Sequence, residues 1–194
     1  MPRIFDTNDL IELSGAFADS ELIVKYNKMA IILEVKHHAV REMVRELFFD
    51  LDKNCWVIHN TDFRIHPSFF GHNLAARSIA IQANAARRVG AGRITTLGVG
   101  NFRTARYPEL SQQWVGYWIW PRLGFDADIP AAIKHFLSAN LQGCCRISDL
   151  IATPDGMHEW LVHGGEVSLE FDLAEGSKSW AVLDCYTAER NIRV

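Results

Sequence analysis

The sequence predicts an α/β (α+β) fold with a mixed central sheet flanked by helices in a single domain. Three consecutive patterns carry this prediction: a β-branched strand over Cys55 to Ile65, a helical repeat over Leu74 to Val89, and a short strand over Arg93 to Val99. A strand, a helix and a strand joined by short links favour a parallel pair with a right-handed crossover. Because ligands bind at the carboxyl ends of such strands, a site is expected between the first strand and the helix.

The segments before this unit predict one helix and two further strands. Asn8 is expected to cap a helix whose apolar face extends to Phe17. β-branched residues predict a buried strand over Met29 to Val35. Alternating polarity predicts a strand over Arg41 to Leu51, although its helix propensity leaves a helix open, and Asp50 to Asn54 forms the following turn. Gly90 and Gly92 are expected to end the central helix.

The second half of the sequence predicts mainly helices. A helix over Leu110 to Trp120 is expected to stop at Pro121, and Leu123 to Phe125 should begin a strand. An amphipathic helix is predicted over Ile129 to Leu141, followed by a turn or helix start at Thr153 to Gly156. Gly164 and Gly165 predict a break before a strand over Glu166 to Leu173, and Ser177 is expected to cap a last helix. Residues 129–194 are therefore interpreted as a C-terminal helix-strand-helix elaboration of one domain, 1–194, whose core spans about 28–128.

Composition excludes several classes of function. The net charge of -3 and pI near 6.2 show no basic excess, so a wide nucleic-acid footprint is not expected. No apolar run is long enough to cross a bilayer and the N-terminus lacks the apolar core of a signal peptide, which predicts a cytoplasmic protein. The four cysteines fit neither a zinc ribbon nor a disulfide framework, and no histidine pair has metal-binding spacing, so no metal is expected.

The segment between the central strand and helix reads Ile-His-Pro-Ser-Phe-Phe-Gly-His-Asn-Leu-Ala over residues 65–75. Such a turn directs unpaired amides and the positive end of the helix dipole at one spot, where an anionic ligand would bind. The phrase resembles Val-His-Pro-x-Tyr-Arg-Gly-x-Gly-Ile-Gly of the GNAT superfamily of acyl-CoA-dependent N-acyltransferases. Phe70 stands where the family has arginine or glutamine, and Asn73 stands at the central glycine. Asparagine tolerates left-handed geometry better than other non-glycine residues, so Asn73 is compatible with the turn.

A second segment, residues 113–125, is similar to the family's Asn-x-x-Ala-x-x-Phe-Tyr-x-Lys-x-Gly-Phe. Gln113 replaces the asparagine, Arg122 the lysine, and Trp120 the tyrosine that protonates the departing thiolate in many members. An indole N–H is too weakly acidic for that role. Tyr117, one helical turn earlier, is the substitute.

The resemblance spans roughly Lys28 to Phe125 and implies acyl transfer, in particular acetyl transfer from acetyl-CoA (an acyl-CoA) to an amine on a small molecule or a protein. His59 is the first candidate for the general base because imidazole exchanges protons near neutral pH, with Asp62 and Glu46 as alternatives. The alternative interpretation of His59 is a structural residue that is hydrogen-bonded within the sheet. The cofactor-binding residues that the resemblance implies are Phe63, Ile65, Phe70, Gly71, His72, Asn73, Leu74, Ala75, Gln113 and Trp120.

The departures at Phe70, Asn73 and Trp120 permit a second hypothesis. A scaffold of the same fold that has lost acyl transfer would bind a partner or serve as an effector module.

Overall fold

A computed structural model describes residues 5–102 and 115–193 and confirms the predicted fold class. Six strands form one mixed sheet whose hydrogen-bonded order follows the sequence, and helices flank it. The strands are β1 (Glu21–Tyr26), β2 (Ala30–Lys36), β3 (Val40–Asp50), β4 (Cys55–Ile65), β5 (Arg93–Gly98) and β6 (Val167–Asp172). The helices are α1 (Thr7–Ser14), α2 (Leu74–Val89), α3 (Gly116–Arg122), α4 (Ala131–Lys134), α5 (Ile147–Leu150), α6 (Pro154–His163) and α7 (Lys178–Glu189).

The first four strands form an antiparallel meander. β2, β3 and β4 confirm the predicted strands, and the alternative of a helix over β3 is wrong. β1 is absent from the sequence-based expectation because its residues are only partly buried or exposed, so its apolar pattern is weak. Asn54 takes a positive φ of 50° in the turn between β3 and β4, as a tight connection requires.

The first helix is capped by a different residue from the one expected. The Asp6 carboxylate accepts the amide of Asp9 at 2.8 Å, and Asn8 lies inside α1. Gly15, in left-handed geometry with φ 71°, ends the helix at Ser14, so the predicted extension to Phe17 is wrong. The expected bounds of α2 are confirmed at both ends, with Gly90 as its left-handed C-cap.

Pro121 lies within α3 and does not stop it, which corrects the prediction. A proline inside a helix deprives the carbonyl four residues earlier of its donor. That carbonyl belongs to Tyr117, and the indole Nε1 of Trp160 donates to it at 2.9 Å. The predicted start of this helix at Leu110 falls outside the described residues.

The expected helix over Ile129 to Leu141 is reduced to the four residues of α4. The amide of Ser138, which a longer helix would use internally, donates to the Glu159 carboxylate at 3.2 Å. The strand predicted to begin at Leu123 to Phe125 is wrong. The next residue, Asp126, forms an isolated antiparallel bridge to Glu170.

Most of the elements predicted for the C-terminal segment are confirmed. Thr153 caps α6 by accepting the amide of Gly156 at 3.1 Å, and Gly164 ends that helix. β6 confirms the predicted strand. Ser177 occupies the N-cap position of α7, but its hydroxyl donates to the carbonyl of Asp172 at 2.7 Å and makes no capping bond.

The chain divides into two compact units. One contains the chain up to Thr95 together with the chain from Asp172 onward, and the other is Thr96–Phe171. In the first unit the amides of Asn60 and Gln82 are buried and paired, and Gln82 also reaches the carbonyl of Leu13, which joins β4, α2 and α1. None of the helices in the described parts of the chain has the length and apolar character needed to cross a membrane.

Candidate functional site

The chain leaves β4 through a compact turn before it enters α2. Pro67–Phe69 form one turn of 3-10 helix, and the His66 ring accepts the amide of Ser68 at 3.4 Å. Gly71 then has φ 80° and Asn73 has φ 58°, so two residues of the turn occupy the left-handed region. Asn73 thus adopts the left-handed geometry that asparagine tolerates better than other non-glycine residues. Residues in this region make concave arrays of backbone N–H groups that bind anions.

The turn leaves a set of backbone donors unused. The amides of Phe70 and His72 donate within the turn, to Pro67 at 3.1 Å and to Phe69 at 3.4 Å. No residue that the structure describes accepts from the backbone amides of Gly71, Asn73, Leu74 and Ala75. The Asn73 side chain makes no capping bond to α2. We call these four amides the amide fan; an anion would complete their hydrogen bonding.

The electrostatic surroundings of the amide fan favour a negative ligand. The first turn of α2 contains no acidic residue, and Arg77 is exposed there. The positive end of the helix dipole adds to this field. A Cβ atom built on Gly71 would meet nothing within 4 Å, so the space in front of the turn is open.

The second feature of the site is a register shift between β3 and β4. Val44 lies opposite Asp62, but Arg45 lies opposite Asn60, which leaves Thr61 as an extra residue on β4. Thr61 is exposed and has no partner on β3. Such a bulge leaves its extra residue outside the ladder and changes which face of the sheet the following side chains occupy.

The bulge brings the three candidate bases to one face of the sheet. Glu46 is directly opposite His59, and Val44, two residues along β3, is opposite Asp62. Since side chains two apart on a strand and side chains paired across strands share a face, Glu46, His59 and Asp62 share one. In a regular β4, His59 and Asp62 would point to opposite sides, because they are three residues apart.

His59 has one identified partner on that face. Its Nδ1 lies 2.9 Å from Oγ1 of Thr95 on β5, and its side chain is half-buried. With the hydrogen on Nδ1, the threonine oxygen accepts and Nε2 keeps a lone pair that can take a proton.

The other predicted cofactor residues of β4 are placed differently. The Phe63 ring packs against the buried cluster of Ala16, Val35 and Met43, and the Arg45 guanidinium lies 4.7 Å from its centroid. Ile65, opposite Val40, is the last residue of the strand, and Phe70 is 51% exposed in the turn.

Tyr117 and Trp120 belong to the core of the second unit. The Tyr117 hydroxyl donates to the carbonyl of Leu161 at 2.8 Å, and burial raises the pKa of Tyr117 to about 12. Trp120 packs edge-on against Phe125 with ring centroids 5.0 Å apart. This geometry disfavours Tyr117 as a proton donor to a ligand. Gln113 lies outside the described residues.

Asp19, His37 and His38 gather possible metal-ligand atoms within 4.8 Å of one another. Both nitrogens of the His37 ring already have partners. Nδ1 accepts a hydrogen bond from the Ala39 amide at 3.1 Å, so the ring hydrogen is on Nε2, which lies 2.9 Å from the Asp19 carboxylate. A metal at Nε2 would have to displace that hydrogen and break the Ala39 bond. The donor set therefore suits a hydrogen bond better than a cation.

Comparison with known proteins adds little to this geometry. No family model matches the chain, and no curated protein matches it. Among solved structures, the chain is similar to one described as the crystal structure of nourseothricin acetyltransferase, with 11% identity over 89% of this chain and 97% of that chain and a TM-score of 0.34. A similarity at this level carries no argument about fold or activity.

Proposed function

We propose that the protein is an acyl-CoA-dependent N-acyltransferase of the GNAT type, which transfers an acetyl group from acetyl-CoA to an amine. The observation that carries the proposal is the amide fan, Gly71, Asn73, Leu74 and Ala75, at the point where β4 gives way to α2. A pyrophosphate supplies the negative oxygens that these donors lack. The sequence of the turn resembles the family's phosphate-binding phrase at the same place.

The β4 bulge supports the same proposal. At about 3.3 Å per residue, Thr61 lies about 13 Å back along β4 from Ile65. An extended ligand held at the turn would therefore run along the strand toward the extra residue of the bulge. A backbone N–H group directed at such a ligand would stabilise an oxyanion that develops during acyl transfer.

The side chains on the bulge face supply the acid-base chemistry. Bound acetyl-CoA would provide an activated thioester. As the amine attacks the thioester carbonyl and coenzyme A leaves as its thiolate, His59, held through Nδ1 by Thr95, takes the proton of the amine at Nε2. Asp62 shares this face and is the alternative base.

One observation favours a second candidate function. The buried, hydrogen-bonded Tyr117 and the packed Trp120 leave the second motif without an evident acid for the thiolate. A scaffold that binds an anionic ligand at the same turn, without acyl transfer, retains every other feature described above.

Calorimetric titration with acetyl-CoA tests the proposal. We expect saturable binding in the micromolar range to the parent protein, retained or tightened in Asn73→Gly, because glycine adopts the φ of 58° without steric cost. Gly71→Trp should abolish binding, since its side chain would project into the open space beside the amide fan.

Gly90→Trp is the matched control. Gly90 has φ 75°, close to the 80° of Gly71, and a Cβ on either would meet nothing within 4 Å. The two tryptophan variants therefore carry similar backbone strain at opposite ends of α2, and only Gly71→Trp should lose the ligand. Equal affinity in both, or no binding to the parent at millimolar acetyl-CoA, would contradict the proposed site. Binding without CoA-thiol release in the presence of a panel of amines would favour the scaffold.

A further inference from the structure

A buried cation lies at the register shift between β3 and β4. Arg45 has no exposed surface, and its Nη1 donates to the carbonyl of Asp62 at 2.9 Å and, more weakly, to that of Val44 at 3.4 Å. The face of the Phe63 ring covers the guanidinium carbon at 4.7 Å. Among the residues that the structure describes, Nε and Nη2 have no hydrogen-bond partner although both are buried.

This arrangement is costly for stability. A buried charge loses its hydration, and two buried nitrogens without partners lose hydrogen bonds that water would provide. Burial lowers the pKa of Arg45 to about 9, against the opposing effect of the Asp62 carboxylate, so the guanidinium remains charged at neutral pH. A hydrophobic side chain of similar length would avoid this cost. Stability of the core therefore gives no reason for an arginine at this position.

The two carbonyls that Arg45 contacts supply a reason. They belong to Val44 and Asp62, which face each other at the last pair before the register shift. A bulge disrupts the ladder and leaves backbone groups without their regular partners. Nη1 provides a donor to both strands at this point, and the packing of Phe63 holds the guanidinium in place.

We propose that Arg45 is a positioning residue that holds the β4 bulge open. By bridging the carbonyls of Val44 and Asp62, it keeps Thr61 out of the ladder and keeps Asp62 on the face of His59. The bulge-holding role stands on the geometry alone, whereas its effect on acyl transfer rests on the proposed function.

The test compares Arg45→Met, Arg45→Lys and Leu47→Met. Leu47 is the matched control because it lies on the same strand and face as Arg45, is equally buried, and is opposite Ile58, away from the bulge. Hydrogen exchange without any cofactor is measured first. Arg45→Met should speed exchange about tenfold or more at amides 44–46 and 60–63 and leave β1 and α2 unchanged. Arg45→Lys, which keeps one charged donor, should be intermediate, and Leu47→Met should match the parent.

The melting temperature separates positioning from general stabilisation. We expect Arg45→Met to melt within about 3 °C of the parent, since removal of a buried charge offsets the lost hydrogen bonds. Unchanged exchange at the bulge, or a large fall in melting temperature with loss of protection throughout the first unit, would overturn the proposal. So would a chloride- or sulfate-dependent stabilisation present in the parent and absent in Arg45→Met, because an anion on the Nε and Nη2 edge would then explain the residue.

Kinetics with acetyl-CoA provide the functional readout. The rate of CoA-thiol release should fall about tenfold or more in Arg45→Met while the Kd for acetyl-CoA stays within about threefold, and Arg45→Lys should restore part of the rate. Equal losses in rate and affinity would contradict a positioning role. If the parent itself does not bind acetyl-CoA, the proposed function fails, and the hydrogen-exchange result still decides the role of Arg45.

Discussion

The buried amide pair between β4 and α2 allows a quantitative prediction, since Gln82→Met removes three hydrogen bonds at once. Gln82 accepts from Asn60 Nδ2 at 3.0 Å and donates through Nε2 to Asn60 Oδ1 at 2.9 Å and to the Leu13 carbonyl at 3.0 Å. Asn60 and Gln82 are almost fully buried. At about 1 to 1.5 kcal/mol for each lost bond, the variant should be about 3 to 5 kcal/mol less stable. For a chain of this length that corresponds to a melting temperature lower by about 6 to 20 °C.

A double-mutant cycle isolates the contribution of the pair. Asn60→Leu alone removes the donor to Gln82 Oε1, whereas Asn60→Leu combined with Gln82→Met removes both amides of the pair together and takes the donor from the Leu13 carbonyl. The double variant should therefore cost about 2 kcal/mol less than the sum of the single variants. Urea unfolding with linear extrapolation provides the free energies. A fall in the free energy of unfolding below about 1 kcal/mol in Gln82→Met would show that these hydrogen bonds do not stabilise the packing of α2 on β4. Strict additivity in the cycle would show the same.

Two further predictions follow from individual groups. Tyr117→Phe should lower the free energy of unfolding by about 1 kcal/mol through loss of the bond to Leu161, while CoA-thiol release stays within about twofold of the parent; a large fall in rate would restore Tyr117 as the acid. The amide of Lys53 and the guanidinium of Arg93, 2.6 Å away, lower the pKa of Asp50. A lowered carboxyl pKa stabilises the fold above the unfolded-state value of about 3.9 and loses that effect on acidification, so the stability advantage of the parent over Asp50→Asn at pH 7 should shrink below about pH 4. A constant difference from pH 7 to pH 3 would exclude this ion pair as a source of stability.

The elements that the sequence predicts best are those whose signals are long and local. β4 and α2 have the expected bounds because eleven residues of strand pattern and sixteen of helical repeat are each bounded by turn-forming residues. The compatibility of Asn73 with left-handed geometry could likewise be inferred from its residue type. β1 is not, since an edge strand buries little and so leaves a weak pattern.

The missed features depend on pairs of residues that are distant in the sequence. The bulge at Thr61 is a property of the register between β3 and β4, and no local pattern in β4 encodes it. The role of Arg45 is hidden for the same reason. Its partner carbonyl at Asp62 is 17 residues away, and an arginine in an alternating strand is expected to face solvent. The shared face of His59, Glu46 and Asp62 could not be foreseen without that register.

The proline in α3 makes that helix dependent on Trp160, which lies 43 residues beyond Tyr117, whose carbonyl it contacts. Trp160 supplies the donor that Pro121 lacks. A change at either residue alone therefore disturbs the hydrogen bonding of the Tyr117 carbonyl. Loss of the indole would leave the buried Tyr117 carbonyl without a donor. Replacement of the proline would restore a backbone N–H that competes with the indole for the same carbonyl. The two segments must consequently be inherited, transplanted or redesigned together, and a chimera that exchanges α6 without α3 should fold poorly.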